Sequence, residues 1–207
     1  MNIIYVTSNA DGVGKTTLST ALLTKLGSDG KKVGYVKLFS QTPDCDKDTT
    51  FAAALLGLEE PTSPTPQNSN SLTDPDVLEW VTSTISPWAD KLDVALVEGP
   101  NITPDSPITS KLSDALNAQV VLLLGYSQHI TSDNLASLIT NFDKPISGIV
   151  INSVPKYRYR QTDQILNTAC SGLNLKFQGV IPEDRHLMAV TLAQITDHLG
   201  GRFLNGQ

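Results

Sequence analysis

The sequence predicts an α/β fold in which a doubly wound, mainly parallel sheet carries helices on both faces, and two observations lead to this prediction. Apolar runs of strand length alternate along the chain with segments whose apolar residues recur at helical spacing. Two of these runs, Val94–Val97 and Val120–Leu124, are continuously apolar, as in parallel strands that are covered on both faces. Because crossovers between parallel strands are right-handed, such an alternation places helices on both sides of the sheet.

Composition and charge are those of a single globular domain. The chain has 207 residues, of which 40% are hydrophobic and 17% charged, so we expect residues 1–207 to form one domain with a sizeable core. The net charge of −6 argues against general attraction to nucleic acid or to an anionic membrane. No apolar run reaches the length of a membrane span, and the first residues have the pattern of a strand, so we expect neither a membrane span nor a signal peptide. Cys45 and Cys170 lack metal-ligand spacing, and we expect two reduced thiols in a cytoplasmic protein.

The first element, Ile3–Val6, has the length of a buried strand and leads through a glycine-bearing loop to Gly14-Lys15-Thr16-Thr17. Apolar residues then recur at helical spacing, at Leu18, Ala21, Leu22 and Leu26. This order of strand, loop and helix matches the phosphate-binding motif G-x-x-x-x-G-K-[ST]. Free N–H groups of the loop and the positive end of the helix dipole favour an anion there. The motif therefore predicts a P-loop NTPase type of fold.

The side chains of this loop have distinct expected roles. Lys15 can reach the outer phosphates of a nucleotide, and the hydroxyl of Thr16 can bind Mg²⁺. The predicted nucleotide-binding residues of the loop are Asp11, Gly12, Val13, Gly14, Lys15, Thr16 and Thr17. One residue departs from the motif, because Asn9 stands where the first glycine is expected. Asparagine tolerates left-handed backbone angles better than most residues, so we expect the turn to persist.

The remaining elements follow in alternation to the end of the chain. The further predicted strands are Lys32–Phe39, Asp93–Glu98, Val120–Gly125, Ile146–Asn152 and Phe177–Ile181. Two of the predicted helices are Thr49–Leu58 and a final helix with Met188, Leu192, Ile195 and Leu199 on one stripe, which stops at Gly200-Gly201. Pro61–Thr73 and Gly99–Pro107 are predicted to be irregular. The second of these follows a core strand, on the side where ligands of open α/β sheets bind.

Acidic residues at two element boundaries are candidate metal ligands. The strand Asp93–Glu98 ends in an acidic residue followed by Gly99. Phosphate-binding folds place a carboxylate linked to Mg²⁺ at such a strand end, although a charged strand end facing solvent has the same pattern. Asp46 and Asp48 open the next helical segment and are candidates for a second Mg²⁺ contact. Carboxylates at a helix start are also ordinary capping residues.

Further polar residues follow other strands. Lys37 lies at a strand end on the same rim as the phosphate-binding loop, where a solvated lysine would also be ordinary. Asn152 ends a strand and has an amide that can read an adenine edge, or it is a turn residue. Lys156–Arg160 alternates basic and aromatic residues, as nucleic-acid sites do, but on an acidic protein this favours an exposed helix start. His129, His186 and His198 are too scattered to predict a metal site.

Six stretches resemble, in the same order, the dethiobiotin synthetase-like group of P-loop proteins: TSNADGVGKTT, VGYVKLF, DKDTTFAAALLGLEEP, ALVEG, GIVINSVP and GVIPED. That group also includes the synthetase domains of cobyrinic acid a,c-diamide synthases and the N-terminal domains of long bacterial phosphate acetyltransferases. The resemblance implies an ATP site in which Thr16, Glu98 and Asp48 hold Mg²⁺. It implies that Lys37 helps to bind substrate and the γ-phosphate, and that the base contacts are Asn152 and the turn Ile181-Pro182-Glu183. We also expect a homodimer.

Two substitutions in one loop depart from that group and limit what the resemblance implies. The glycine-rich Glu-Gly-Ala-Gly-Gly stretch of the synthetase is Glu98-Gly99-Pro100-Asn101-Ile102 here. Pro100 removes an N–H donor and Ile102 adds a branched side chain in a loop that the synthetase uses around its substrate, so we expect no useful dethiobiotin synthesis.

The sequence also argues against membership of the partition-type ATPases. Their signature lysine would fall at position 10, which is Ala10 in this chain.

Two functions are open at this stage. The chain is either an enzyme or a regulatory module that senses ATP and acts on a partner protein. As an enzyme it would transfer the γ-phosphate of ATP to an unknown carboxylate-type small molecule, which would activate that acceptor for attack by an amine. Lys15, Lys37 and Mg²⁺ would then stabilise the transferred group, since such catalysis consists mainly of positioning and charge neutralisation. An enzyme predicts acceptor-dependent ADP release, and a sensor predicts ATP binding with little turnover.

Overall fold

One parallel sheet forms the centre of the molecule. The computed structural model describes residues 1–39, 46–57, 74–102, 108–127, 130–140, 142, 145–184 and 189–203. In these ranges the strands are β1 (Asn2–Ser8), β2 (Val33–Lys37), β3 (Val94–Asn101), β4 (Gln119–Gly125), β5 (Gly148–Val154) and β6 (Phe177–Pro182). They lie in the order β2-β3-β1-β4-β5-β6, and every neighbouring pair is parallel. The predicted parallel sheet is confirmed.

In the described ranges a helix follows each strand, and two helices follow β2. The helices are α1 (Lys15–Ser28), α2 (Lys47–Leu56), α3 (Asp74–Ile85), α4 (Ile108–Ala115), α5 (Ser132–Ile139), α6 (Tyr159–Gly172) and α7 (Leu192–His198), within the described ranges. Short 3₁₀ turns at Ser86–Trp88 and Lys156–Arg158 extend α3 and precede α6.

One face of the sheet packs against α1 and α2. Val6, Tyr35 and Leu96, from three neighbouring strands, form a buried cluster there. Leu23 of α1 and Ala52 of α2 belong to the same cluster and are likewise buried. Because side chains alternate along a strand, the intervening residues of these strands point to the other face.

The opposite face is covered by α3 to α6. Tyr5, Val36 and Val97 pack there against α3 and α4. The second half of the sheet, including Val120, packs against α5 and α6. The register pairs Tyr5 with Val120, so these two halves of the core lie on the same face of the sheet. Helices therefore lie on both faces, as the alternation predicts.

β3 is longer than predicted and continues to Asn101. The hydroxyl of Thr7 donates to the carbonyl of Pro100 at 2.6 Å, and the amide of Ile102 donates to the carbonyl of Ser8 at 2.8 Å. These bonds hold β1 and β3 side by side beyond Glu98. The prediction that Gly99–Pro107 is irregular was therefore wrong for residues 99–101, which belong to β3. The other strands agree with the predicted runs to within one or two residues at each end.

α2 starts and ends with clear capping interactions. Asp46 is its N-cap, and Gly57 ends it in a left-handed conformation with φ of 62°. These caps move the helix two residues toward the N-terminus from the predicted Thr49–Leu58. Glycine is favoured at such a helix end because a side chain is strained at that angle.

α7 begins at a capping box in which Thr191 and Gln194 exchange hydrogen bonds. Gly200, with φ of 60°, follows it and agrees with the predicted stop. The predicted apolar stripe does not pack into the core, because Leu192 and Leu199 are 72% and 74% exposed.

Some predicted features lie outside the described residues. They are the loop Pro61–Thr73, residues 103–107 of the second irregular stretch, Cys45, His129, His186 and Met188. Cys170 is described and is a buried free thiol, whose pKa burial raises. In the described parts of the chain, no helix has both the length and the apolar content needed to cross a membrane.

Candidate functional site

The loop between β1 and α1 turns at two glycines with left-handed backbone angles, Gly12 (φ 70°) and Gly14 (φ 96°). Glycine adopts such angles without steric cost. A Cβ added at Gly14 would also lie 2.6 Å from the side-chain amide nitrogen of Asn152. Gly14 is the N-cap of α1, and no described side chain caps this helix start. Its first N–H groups are therefore suited to bind an anion.

Asn9 takes part in this loop in a way that the motif does not predict. It is not among the residues with positive φ, so the loop turns, as expected, without a left-handed backbone at this position. Instead its Oδ1 accepts a long hydrogen bond, 3.4 Å, from the backbone N–H of Gly125. The asparagine thus ties the loop to the end of β4.

Polar side chains hold Lys15 within the site. Its Nζ donates to the hydroxyl of Ser8 at 2.9 Å and to Oδ1 of Asn101. Asn101 also accepts from the Ser8 hydroxyl at 2.7 Å, and its Nδ2 donates to Asp11 at 2.6 Å. Burial lowers the pKa of Lys15, although the charges of Glu98 and Asp11 oppose that shift. The end of β3 therefore positions the lysine of the loop.

Glu98 is 3% exposed, and both of its carboxylate oxygens accept hydrogen bonds. The hydroxyl of Thr16 donates to Oε1 at 3.1 Å, and the hydroxyl of Tyr35 donates to Oε2 at 2.8 Å. Burial raises the pKa of Glu98, while these hydrogen bonds and the charges of Lys37 and Lys15 act in the opposite direction. Glu98 and Thr16 together present the oxygen ligands that Mg²⁺ prefers.

Lys37, at the end of β2, is paired with two carboxylates at the start of α2. Its Nζ lies 3.2 Å from Oδ1 of Asp46 and also donates to Asp48. Burial alone would lower the pKa of Lys37, but the two carboxylates outweigh burial and raise it. The side chain of Asp46 is 6% exposed and that of Asp48 is 43% exposed. Asp48 is therefore the carboxylate of this pair that a ligand reaches more easily.

These groups line one cleft with a volume of about 770 Å³. It brings together the loop residues 11–17, Lys37, Asp48 and Glu98, that is, every predicted catalytic and metal-binding residue. Its wall is completed by Phe39, Asp46, Gly99, Pro100 and Asn101. The cleft lies where the carboxyl ends of β1, β2 and β3 meet, which is the position expected for a ligand of an open α/β sheet.

The two predicted base contacts lie outside the lining of this cleft. Nδ2 of Asn152 donates to the backbone carbonyl of Val13 at 2.8 Å, so this amide braces the phosphate-binding loop. Pro182 is the last residue of β6 and lies beside Val154 in the register. Asn152 in β5 and Pro182 in β6 lie in the half of the sheet on the other side of β1 from Lys37 in β2.

The substitutions Pro100 and Ile102 have different surroundings. Pro100 lines the cleft. Ile102 is 6% exposed and belongs to the core cluster under α5 and α6, so its branched side chain packs into the core rather than around a substrate in the cleft. Gly99 is required by its neighbour, because a Cβ there would lie 2.1 Å from the hydroxyl of Tyr5.

The basic and aromatic stretch Lys156–Arg160 forms the 3₁₀ turn and first residues of α6. The ring of Tyr157 is 78% exposed, and the guanidinium of Arg158 lies 5.7 Å from its centroid. The interpretation of this stretch as an exposed helix start is confirmed.

The donor set of the cleft suits a nucleotide together with Mg²⁺. Within the described residues no three His, Cys, Asp or Glu side chains cluster so that they could hold a metal alone. Mg²⁺ in nucleotide sites is usually held by one or two carboxylates plus substrate phosphates and water. Glu98, Thr16 and Asp48 fit that pattern, since the remaining ligands would come from the nucleotide.

Sequence reasoning missed three residues of this network: Ser8, Tyr35 and Asn101. Tyr35 could have been found from strand periodicity, because it lies two residues before Lys37 and therefore on the same face of β2. Asn101 carries no such signal, because its contacts depend on the pairing of β1 with β3.

Solved structures share this fold. MinD cell division protein from Aquifex aeolicus has a TM-score of 0.61 and 19% identity, with 91% of this chain and 84% of that chain covered. The signal recognition particle 54 kDa protein from Aeropyrum pernix K1, solved in complex with GDP, has a TM-score of 0.62 and 15% identity. That likeness covers 88% of this chain but 41% of the other. At these identities the likenesses show the fold alone.

Comparison with curated proteins gives no match. Comparison with family models does give a match. The AAA_26 family, described as an AAA domain, matches residues 2–191. With its phosphate-binding loop and its parallel sheet, the chain belongs to the AAA_26 family and is a nucleotide-binding domain of the P-loop NTPase type.

Proposed function

We propose that the chain binds Mg-ATP in this cleft and transfers the γ-phosphoryl group to a carboxylate-type acceptor. The observation that carries this proposal is the meeting of two lysines from different elements in one cleft, Lys15 from the loop and Lys37 from β2. A nucleotide-binding loop alone needs only the first of these cations. The second lies on the side of the cleft away from the predicted base contacts, where an acceptor beside the γ-phosphate would sit.

ATP is proposed over GTP from the resemblance to the dethiobiotin synthetase-like group. Asn152 and Pro182 would contact the base, because both lie near the carboxyl ends of β5 and β6, on the far side of the loop from Lys37. In this role Asn152 would also keep its bond to Val13, so base and loop would be positioned by one side chain. The proposed metal ligands are Thr16, Glu98 and Asp48.

The proposed reaction makes and breaks one bond to phosphorus. A carboxylate oxygen of the acceptor attacks the γ-phosphorus, the bond to the β,γ-bridging oxygen breaks, and ADP leaves. The product is an acyl phosphate, which an amine then attacks at the acyl carbon with release of inorganic phosphate. The protein holds Lys15 and Lys37 in place before the reaction, and their positive charges stabilise the charge on the transferred group. Such preorganised charge stabilisation is the main source of catalysis in phosphoryl transfer. Bound Mg²⁺ supplies further charge neutralisation.

The carboxylates of Asp46 and Asp48 influence when Lys37 can act. In this structure they neutralise Lys37. A phosphate group would have to compete for the lysine, and a metal on Asp48 would weaken that ion pair. We therefore expect Lys37 to matter more for turnover than for initial ATP binding.

The test traps the acyl phosphate with hydroxylamine, which converts it to a stable hydroxamate. Mg-ATP is incubated with a panel of small carboxylic acids, and with diaminopelargonate plus bicarbonate, while ADP and hydroxamate are both measured. We expect at least one carboxylic acid to raise ADP release and to yield hydroxamate. The variant Lys37→Met should lose this turnover but bind Mg-ATP. Lys32→Met is the matched control, because Lys32 is an exposed lysine beside the start of the same strand.

A regulatory module is the second candidate. Lys15 and Lys37 are both engaged by side chains of the protein itself, and such contacts can distinguish a bound from an unbound state. One structural neighbour is a MinC:MinD cell division protein complex. Mg-ATP binding without ADP or hydroxamate for any acceptor would contradict the enzymatic proposal and favour this one.

We also propose that residues 1–207 form one domain, that the protein is cytoplasmic and that it is a homodimer. Light scattering would measure the mass of that dimer.

A further inference from the structure

β2 directs two polar side chains toward the cleft from one face. Lys37 reaches the opening, whereas Tyr35, two residues earlier, is completely buried below it. The hydroxyl of Tyr35 donates to Oε2 of Glu98 at 2.8 Å. We propose that Tyr35 is a positioning residue that orients the Glu98 carboxylate toward the Mg²⁺ of the bound nucleotide. This inference rests on the proposed function, because it assumes that Glu98 is a metal ligand.

The two hydrogen bonds of Glu98 define the plane of its carboxylate. The terminal torsion of a glutamate is broad and roughly two-fold, so an unrestrained carboxylate would rotate. Here Thr16 donates to one oxygen and Tyr35 donates to the other. The oxygen that Thr16 contacts is therefore directed toward the phosphate-binding loop, beside the other proposed metal ligand.

The packing around Tyr35 makes it an effective anchor. Its ring lies in the buried cluster with Val6, Leu23 and Leu96, between the sheet and α1. A ring in a close-packed interior has no alternative place for its hydroxyl. Partners that orient metal-binding carboxylates commonly change metal affinity by about 10- to 100-fold when they are removed.

The test compares two phenylalanine variants that remove one hydroxyl each. Tyr35→Phe removes the bond to Glu98 and keeps the ring. Tyr5→Phe is the matched control, because Tyr5 is also completely buried in the same sheet, but its hydroxyl lies beside Gly99 on the opposite face. For each protein, ATP affinity is measured by calorimetry in EDTA and in saturating Mg²⁺. Mn²⁺ affinity of the ATP complex is measured separately by electron paramagnetic resonance.

We expect Tyr35→Phe to bind ATP in EDTA as the wild type does, and to lose about 10-fold or more of the affinity gained from the metal. Binding in EDTA also shows that the variant is folded. Tyr5→Phe should keep the full metal effect. On a Glu98→Gln background, Tyr35→Phe should have no further effect on the metal dependence, because the two residues act as one unit.

Several results would overturn the positioning role. One is a full metal effect in Tyr35→Phe; another is an equal loss in Tyr5→Phe, which would indicate general softening of the core. If Tyr35→Phe reduced the metal effect further on the Glu98→Gln background, Tyr35 would act through a group other than Glu98. If the wild type itself showed no metal effect, the metal site would fail together with this inference, whereas ATP binding in EDTA would still report on the nucleotide site.

Discussion

Asn101, at the end of β3, contacts the end of β1 and two residues of the phosphate-binding motif. Its oxygen accepts from Lys15 and from Ser8, and its nitrogen donates to Asp11. An amide accepts at its oxygen and donates at its nitrogen, whereas an ionised carboxylate can only accept. At the residue scale, an asparagine here thus suits both the cation and the carboxylate of the loop.

Asn101→Asp should weaken ATP binding by 10-fold or more. The new carboxylate would hold Lys15 as an ion pair and repel both Asp11 and the phosphates. At 4 Å and an effective dielectric constant of 20, two unit charges interact by about 4 kcal/mol, and a tenfold change needs about 1.4 kcal/mol. Calorimetric titration with ATP measures the effect. Asn101→Ala is the control, because it removes the same hydrogen bonds without adding charge; equal losses in both variants would contradict the electrostatic account.

At the scale of elements, the start of α2 depends on Asp46. This carboxylate accepts from the backbone N–H of Thr49 at 3.3 Å and from its hydroxyl at 2.5 Å, and it contacts Lys37. Burial alone would raise the pKa of Asp46, but the bonds from Thr49 and the charge of Lys37 outweigh burial and hold the pKa below its usual value.

This pKa shift predicts an acid-dependent loss of stability. A carboxylate with a lower pKa in the folded state stabilises the fold above its unfolded pKa, about 3.9 for aspartate. That contribution is lost as pH falls through the folded pKa. Asp46→Ala should lower the free energy of unfolding at pH 7 by about 0.5–2 kcal/mol and should flatten its pH dependence below pH 4. Urea unfolding from pH 7 to pH 3 measures both effects.

The control for Asp46 is Asp29→Ala, because Asp29 is half exposed and pairs with the exposed Lys25 on α1. We expect it to change the free energy of unfolding by less than about 0.5 kcal/mol. If the free energy of unfolding depended on pH in the same way in the wild type and in Asp46→Ala, Asp46 would not have the lowered pKa that we assign to it.

The contact of β1 with β3 gives a second prediction at this scale. Gly99→Ala places a Cβ 2.1 Å from the hydroxyl of Tyr5, which is completely buried and cannot move freely. Overpacking of this kind costs about 1–3 kcal/mol of unfolding free energy. Gly27→Ala is the control, because nothing lies within 4 Å of its Cβ position in α1. Thermal unfolding should show a loss for Gly99→Ala and a small gain for Gly27→Ala.

The elements that the sequence predicts well are those with strong periodicity or a local motif. The six strands of the described chain and the helix after Gly14 have such signals. The end of β3 was missed, because glycine and proline at positions 99 and 100 suggest a loop, while the bonds that extend the strand come from distant Thr7 and Ser8. The stripe of α7 predicted the helix and its stop, but periodicity does not show whether a surface of the molecule covers an apolar face.

At the scale of the molecule, the strand order assembles the site. β2, β3 and β1 are neighbours, so Lys37, Glu98 and the loop containing Lys15 meet at one edge although they are far apart in sequence. The sequence predicts each residue by its place at a strand end. The hydrogen bonds of Tyr35 and Asn101 depend on strand order and register, which periodicity does not determine.

Calorimetric titration of the wild type, Lys15→Ala and Lys25→Ala with Mg-ATP tests the nucleotide site most directly. Lys25 is a matched lysine of α1 with a side chain 72% exposed. We predict equal affinity for wild type and Lys25→Ala, and a loss of 10-fold or more for Lys15→Ala. At about 100 times the dissociation constant, Mg-ATP should stabilise the wild type by about 2.7 kcal/mol. Equal affinity of the wild type and Lys15→Ala for Mg-ATP would contradict the assignment of this cleft as the nucleotide site.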